Sequence, residues 1–219
     1  MPYPGDVERI TERAARASGS LSPNQALLLA EYLDTLRRWN EKSNLTAFEL
    51  NPPSDAALDR LIIEPVVAAR HVRRTDGLLI DVGSGGGSPA IPLRIMSAHT
   101  RVVLVEARGR KAAFLREVVR RLELERVQVE QDRFETLVAV NESLRRAADL
   151  MTVRAVKVDS RFWSNVQICM KPLGRLLLFG PTEQALASLP ADQLRVVSQE
   201  VLLQTPDSLL AIVEPNLRS

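Results

Sequence analysis

The segment Asp81-Val82-Gly83-Ser84-Gly85-Gly86-Gly87 places four glycines in five positions, just after an apolar run that ends in an acidic residue. Glycine lets a backbone turn sharply and approach a ligand closely. A carboxylate at Asp81, two residues before the first glycine, can orient the loop or attract a cationic ammonium group. Glu106 closes the next apolar run, where its two oxygens can accept hydrogen bonds from both hydroxyls of a ribose. In a doubly wound α/β sheet, ligands bind at the carboxyl ends of the strands, where the strand order reverses. A dinucleotide fingerprint has the same logic but needs Gly or Ala as its sixth residue, and Ser88 stands there. A nicotinamide enzyme is therefore the poorer reading, and Asp81 argues against it further, since a pyrophosphate is an anion.

These residues need a scaffold that brings them to one sheet edge. Leu78–Val82 reads as a first strand, and the residues from Ile91 to Met96 as the helix after it. Val102 to Glu106 is the second strand, and Ala112, Leu115, Val119 and Leu122 mark one face of the next helix. Val127–Glu130 is the third strand, Phe134 to Arg146 a helix, and Leu150 to Val153 the fourth strand. A further helix precedes a turn at Lys171-Pro172-Leu173-Gly174, and Arg175 to Phe179 is the fifth strand. Val196 to Leu203 and Leu209 to Val213 have no full helix between them and read as a hairpin at the sheet edge. The alternation predicts an α/β, Rossmann-like fold with a seven-stranded, mostly parallel sheet and helices on both faces.

Before the sheet, Ser22-Pro23-Asn24-Gln25 carries the signature of a capping box with Pro at the first helical position. Leu29, Leu33 and Leu36 follow at helical spacing, and Trp39 and Asn40 end that helix. A second helix is expected from about Ala56 to Arg73, interrupted at Pro65. Residues 1–75 thus form a helical extension that should not fold alone, and 76–219 the ligand-binding domain.

With 219 residues, 45% of them hydrophobic and 26% charged, the chain is an ordinary globular one. No apolar run approaches the roughly 20 residues that span a bilayer. Met1-Pro2-Tyr3-Pro4-Gly5-Asp6 has neither a basic start nor an apolar stretch after it, so a cytoplasmic location is expected, with no membrane partner. The only cysteine, Cys169, lies in an apolar run and reads as a core thiol; His71 and His99 are isolated, so no metal is expected. Arginine supplies 25 of the 29 basic residues, a bias that suits phosphate but also follows from genome composition.

Asp81-Val82-Gly83-Ser84-Gly85 fits the D-x-G-x-G pattern of methyltransferases, whose S-adenosyl-L-methionine carries both a ribose and an ammonium. The continuation Gly85-Gly86-Gly87-Ser88-Pro89-Ala90-Ile91-Pro92-Leu93 resembles a glycine- and proline-rich stretch of the bacterial 16S rRNA guanine-N7 methyltransferases, the RsmG or glucose-inhibited division protein B family. Trp39-Asn40, Asn44-Leu45-Thr46, Arg110-Lys111, Arg133-Phe134-Glu135 and Arg154-Ala155 match family segments in the same order, so that the resemblance covers Leu28 to Gly180. It implies S-adenosylmethionine contacts at Gly83, Ser88, Phe134, Glu135 and Arg154, beside the Asp81, Ser84, Gly85 and Glu106 already singled out. It also implies a substrate-side role for Asn40 and small-subunit rRNA as partner; a monomer is expected. The chain departs from the family at Ser88, at Ala90, at Leu61-Ile62-Ile63-Glu64-Pro65 and at Phe179-Gly180.

Guanine N7 has a free lone pair and no proton to lose, so positioning rather than a general base is what the reaction asks for. Arg154, just outside a buried strand, and Asn40 are the catalytic candidates. Arg110, Lys111, Arg133, Lys157 and Arg161, with Arg108, are expected at the carboxyl edge of the sheet to meet RNA, with Arg154, Lys157 and Arg161 at helical spacing. Val153-Arg154-Ala155-Val156 lacks the Asn/Asp-Pro-Pro-aromatic motif of adenine amino methylation, and the apolar setting of Cys169 disfavours cytosine C5 chemistry. Three alternatives stay open: another RNA substrate, a small-molecule substrate on the same fold, and a non-catalytic RNA-binding module. The intact loop and Glu106 speak against the last.

Overall fold

The computed structural model describes residue 3, residues 5–205 and residues 207–216; the terminal Met1, Pro2 and Pro4 lie outside them. The chain begins with three helical stretches: α1 (Asp6–Arg16), α2 (Pro23–Ser43) and α3 (Asp55–Leu58). A π-turn (Asp59–Ile63) leads into α4 (Glu64–Ala68) and a 3₁₀ turn (Ala69–His71). The α/β part then runs β1 (Leu78–Val82), α5 (Ala90–Met96), β2 (Arg101–Val105), α6 (Gly109–Arg121), β3 (Val127–Glu130) and α7 (Phe134–Val140). It closes with β4 (Ala148–Arg154), α8 (Ser160–Cys169), β5 (Met170–Phe179), α9 (Glu183–Ala187), β6 (Leu194–Val201) and β7 (Leu209–Pro215).

The seven strands form one sheet in the order β3-β2-β1-β4-β5-β7-β6. The pairs from β3 to β5 are parallel, and β7 pairs antiparallel with both β5 and β6. The order reverses between β1 and β4, so the carboxyl ends of these strands face the crevice in which such folds bind ligands. The expected edge hairpin is present.

Ser22 caps α2 as the sequence implies: its side chain accepts from Gln25 N, and the Gln25 side chain accepts from Ser22 N. The helix continues past Asn40 to Ser43 and stops at Asn44, whose left-handed backbone (φ 43°) ends the α ladder. α1 was not expected; it has no side-chain cap, and only Ile10 and Ala14 of its apolar residues are buried. The helix expected over Ala56–Arg73 is present in pieces. Pro65 has no N–H to donate, and the π-turn just before it absorbs the broken ladder. The helix expected to reach Arg146 ends at Val140, with a 3₁₀ turn at Glu142–Leu144.

The expected turn at Lys171–Gly174 is instead part of β5. β5 meets β4 at Ala148↔Met170 and again from Leu150↔Arg175, with a shift of register between. Gly174 makes this bulge possible, because a Cβ there would lie 2.8 Å from the Ala148 carbonyl oxygen and 2.6 Å from Met170 Cγ. Arg154, Lys157 and Arg161 do not share a helix. Arg154 ends β4, Ala155 turns the chain at φ 55°, Lys157 lies in the loop, and α8 begins only after Asp159.

The core has two sides. On one, Leu29, Leu33 and Leu36 of α2 and Ile62 and Ile63 of the π-turn pack with Leu79, Ile91, Leu104 and Phe114. On the other, Ile80, Val103 and Val153 pack against Phe134, Phe162 and Trp163.

Candidate active site

β1 delivers Asp81 to a fully buried position, where the Thr152 hydroxyl of β4 donates to Oδ1 at 2.6 Å. Oδ2 is buried and has no hydrogen-bond partner. Burial pushes the carboxyl pKa up to about 6, against the Thr152 hydroxyl, which lowers it. Beyond it the chain turns through Gly83 (φ 72°), Gly85 (φ 52°) and Gly87 (φ 90°). Gly83 requires its bare Cα: a Cβ would come within 2.5 Å of Val156 Cγ2.

The loop is fastened from two sides. Gly83 N and Ser84 N both donate to Val105 O, at 2.9 and 3.0 Å, and Ser84 Oγ donates to Asp81 O at 3.2 Å. Glu106 accepts from Gly85 N on Oε2 at 2.9 Å and from Arg108 N on Oε1 at 2.7 Å. Each carboxylate oxygen keeps a second lone pair for a ligand hydroxyl. From the other side α2 reaches in: the buried Tyr32 hydroxyl donates to Gly86 O at 2.7 Å, and Tyr32 packs where a Cβ on Gly87 would stand, 3.3 Å from its Cε2.

A cleft of about 710 Å³ opens over the ends of β1, β2 and β3. Gly83, Glu106, Arg133, Phe134, Glu135 and Lys157 all line it, with Arg108 beside them. Phe134 is buried, its ring tilted against Phe162 at 6.3 Å between centroids. Asp81 and Ser84 lie buried at the root of the loop. Lys111 extends its ammonium to within 3.8 Å of the Cβ position of Gly85.

The other candidates lie apart from this cleft. Arg154 is locked into a buried cluster: Nη2 meets Glu64 Oε2 at 2.7 Å, Nη1 donates to the Arg60 carbonyl and sits 3.4 Å from Ser88 Oγ, and the guanidinium covers the Phe179 ring at 4.6 Å. Burial lowers its pKa to about 10, while Glu64 opposes the shift. Asn40 uses Oδ1 to accept from Thr46 N at 2.9 Å, which fixes the corner after α2. Arg110 leans on Lys42 O at 3.5 Å, and Arg161 is exposed near the start of α8. Cys169 is buried, and burial pushes its thiol up to about 12, so it is no ready nucleophile. Among the described residues no group of three His, Cys, Asp or Glu side chains could hold a metal, and no helix is long and apolar enough to cross a membrane.

Sequence reasoning missed Tyr32, Glu64 and Thr152. Tyr32 lies on the same stripe as Leu29, Leu33 and Leu36, so its polar tip inside an apolar stripe was the available signal. Glu64, alone among Leu61, Ile62, Ile63, Pro65 and Val66 and four residues after Arg60, was the signal for a buried ion pair.

Residues 25–208 match the family described as GidB, rRNA small subunit methyltransferase G. A ribosomal RNA small subunit methyltransferase G from Chloroflexus aggregans is 40% identical over 153 residues, 69% of this chain and 63% of that protein. One from Xanthomonas axonopodis pv. citri is 36% identical over 193 residues, 85% of this chain and 84% of that protein. Among solved structures, the mitomycin 7-O-methyltransferase MmcR matches with a TM-score of 0.56 at 17% identity, covering 89% of this chain and 71% of that one, which shows a shared fold. The α/β sheet is thus that of a class I methyltransferase, and the chain belongs to the rRNA small subunit methyltransferase G family.

Proposed function

We propose that the chain is an S-adenosylmethionine-dependent methyltransferase that modifies guanine N7 in small-subunit (16S) rRNA, in the cytoplasm where that RNA is assembled. The observation that carries the reading is the buried, unpartnered Oδ2 of Asp81 beside a glycine loop already fastened to Glu106. An orphaned carboxylate oxygen is costly to bury and calls for a donor, which an amino-acid ammonium provides. The residues present fit this cofactor. Asp81 would take the ammonium, Gly83–Gly85 allow close backbone approach, Glu106 would accept from the ribose, and Phe134 would pack near the adenine. When bound, S-adenosylmethionine supplies an electrophilic methyl group.

The chain's own part is to bind and to align. The acceptor nitrogen bears a lone pair and releases no proton, so no residue has to act as a base. The guanine has to be exposed, in a loop or flipped from its stack. Arg108, Arg133 and Lys157 at the cleft offer cations to nearby phosphates. Arg154 and Asn40, engaged in the Glu64 cluster and at the Thr46 corner, act in this reading by holding the walls of the site. In the test, the protein is incubated with tritiated S-adenosylmethionine and small ribosomal subunits from a strain lacking its gene, and the label is mapped. Label at guanine N7 of 16S rRNA is expected. Cofactor binding without RNA labelling would move the substrate elsewhere.

A further inference from the structure

A second hollow, of about 500 Å³, lies where the carboxyl end of α2 meets the start of α6. It is lined by Arg38, Trp39, Lys42, Ser43 and Arg110, three cations around an indole with no acidic residue in its wall. Arg38 is half neutralised, because its guanidinium meets Asp34 at 2.6 Å. Lys42 and Arg110 are exposed, and among the described residues neither forms an ion pair; Arg110 donates one hydrogen bond, at 3.5 Å, to the Lys42 carbonyl. Lys111, next in sequence, forms no ion pair among the described residues either, and reaches the glycine loop at Gly85.

Lys42, Arg110 and Lys111 therefore make a track of unneutralised cations from the α2 corner to the cofactor loop. The corner itself is rigid. Trp39 packs edge-to-face with Phe114 of α6, the ring centroids 5.8 Å apart, Asn40 holds Thr46, and Leu45 O lies 3.5 Å from the Cβ position of Gly86. Unpaired cations gain from a polyanion whose counterions they release. Aromatic surface between the cations suits nucleic acid, since a ring can meet a base while its neighbours meet phosphates.

We infer that the Arg38–Trp39–Lys42–Arg110 hollow is a docking site for the phosphodiester backbone of the RNA substrate, which it holds beside the cofactor loop. This rests on the rRNA reading above and adds to it an RNA-binding surface shared by α2 of the helical extension and the start of α6, outside the cleft.

The test compares wild type with a Lys42→Ala/Arg110→Ala protein, and with Lys42→Gln alone as a milder change. Binding of small-subunit rRNA is titrated across a range of salt concentrations, and S-adenosylmethionine affinity is measured on the same samples. The double variant is expected to bind RNA about tenfold more weakly, with the salt slope reduced by about two units, one for each cation that no longer meets a phosphate. Its cofactor affinity should equal that of wild type, which shows that the site is folded. Equal RNA affinity and slope in wild type and variant would overturn the docking site and leave the rRNA reading intact. A wild type that binds the cofactor but no RNA would overturn both. Phosphatidylserine vesicles form the last arm: vesicle binding that falls in the variant while RNA binding does not would assign the patch to a membrane surface and overturn the proposal.

Discussion

Asp81 carries a charge where water cannot reach it, and its stability and binding effects have opposite signs. Its folded pKa of about 6 lies above the ordinary value of 3.8, so the folded chain holds this proton more tightly than the unfolded chain. The folded state is accordingly penalised as pH rises from about 4 to about 6, by on the order of 3 kcal/mol for a shift of about two units. Asp81→Asn should remove that penalty. In thermal melts without cofactor, the variant should gain on wild type at pH 8 and lose the advantage near pH 4. Cofactor binding should run the other way, because in the proposed reading the ionised carboxyl is the form that attracts the ammonium. Wild-type affinity for S-adenosylmethionine, followed by calorimetry, should fall about tenfold per pH unit below 6. The variant should bind weakly at every pH. A flat wild-type affinity from pH 5 to 8 would remove Asp81 from the binding site. Glu64 presents a different residue-scale case, a buried acid paired with a buried Arg154 at 2.7 Å. Glu64→Gln leaves that guanidinium underneutralised, with Nε already unpartnered. A loss of about 3–5 kcal/mol in urea unfolding is expected, and a loss under 1 kcal/mol would show that the pair adds little.

At the scale of elements, the cofactor loop depends on a helix more than fifty residues upstream. The Tyr32 hydroxyl of α2 is the donor for the Gly86 carbonyl, and Tyr32→Phe keeps the ring that fills the space beside Gly87 while removing that donor. The expected result is a KM for S-adenosylmethionine raised about fivefold to tenfold, equivalent to about 1–1.4 kcal/mol for a buried acceptor left without its donor. kcat should be nearly unchanged. An unchanged KM with a lower melting temperature would make Tyr32 a packing residue only. The same pair of elements shows what was legible in the sequence. β1 stands where its short apolar run places it, since buried parallel strands are continuous hydrophobic runs, and β3, an edge strand with no buried residue, stands where the alternation of Val127, Gln128, Val129 and Glu130 places it. Gly83, Glu106 and Phe134 come together because each ends, or follows, one of three adjacent strands. Tyr32 and Glu64 stand out in the sequence only as polar groups inside apolar runs; their partners lie 54 and 90 residues away, and only tertiary packing selects them. The spread of Arg154, Lys157 and Arg161 was misread for a local reason. Ala155 takes a left-handed backbone that its side chain does not announce, and the helix period fails there.

For the whole molecule, the open matter is whether residues 1–75 are a separable extension or part of one folding unit. The expectation that they do not fold alone has a counterpart: we propose that residues 76–219 do not fold alone either. Leu29, Leu33 and Leu36 of α2 and Ile62 and Ile63 of the π-turn share one cluster with Leu79, Ile91, Leu93, Leu104 and Phe114 of the sheet domain, all of them essentially unexposed. Removing the helices would strip partners from α5 and α6, which α2 and α4 cover. Each large apolar side chain brought out of the interior forfeits about 1.5–3 kcal/mol, and a domain has only about 5–15 kcal/mol in total. Exposure of four or five of these residues costs about as much as that whole margin. The polar fastenings go as well: Tyr32 leaves Gly86 O without a donor, and Glu64 leaves Arg154 buried with no counter-charge. A chain truncated to residues 76–219 should therefore show no cooperative urea transition and no S-adenosylmethionine binding, whereas the full chain should unfold in a single step whether followed by far-UV circular dichroism or by Trp39 and Trp163 fluorescence. The two tryptophans lie on opposite sides of the sheet, one packed with the helical extension and one beneath β4 and β5, so coincident transitions would report one unit. Two separate transitions, or a truncated chain that unfolds cooperatively, would show that the sheet domain holds its own core and that the helices are added to it.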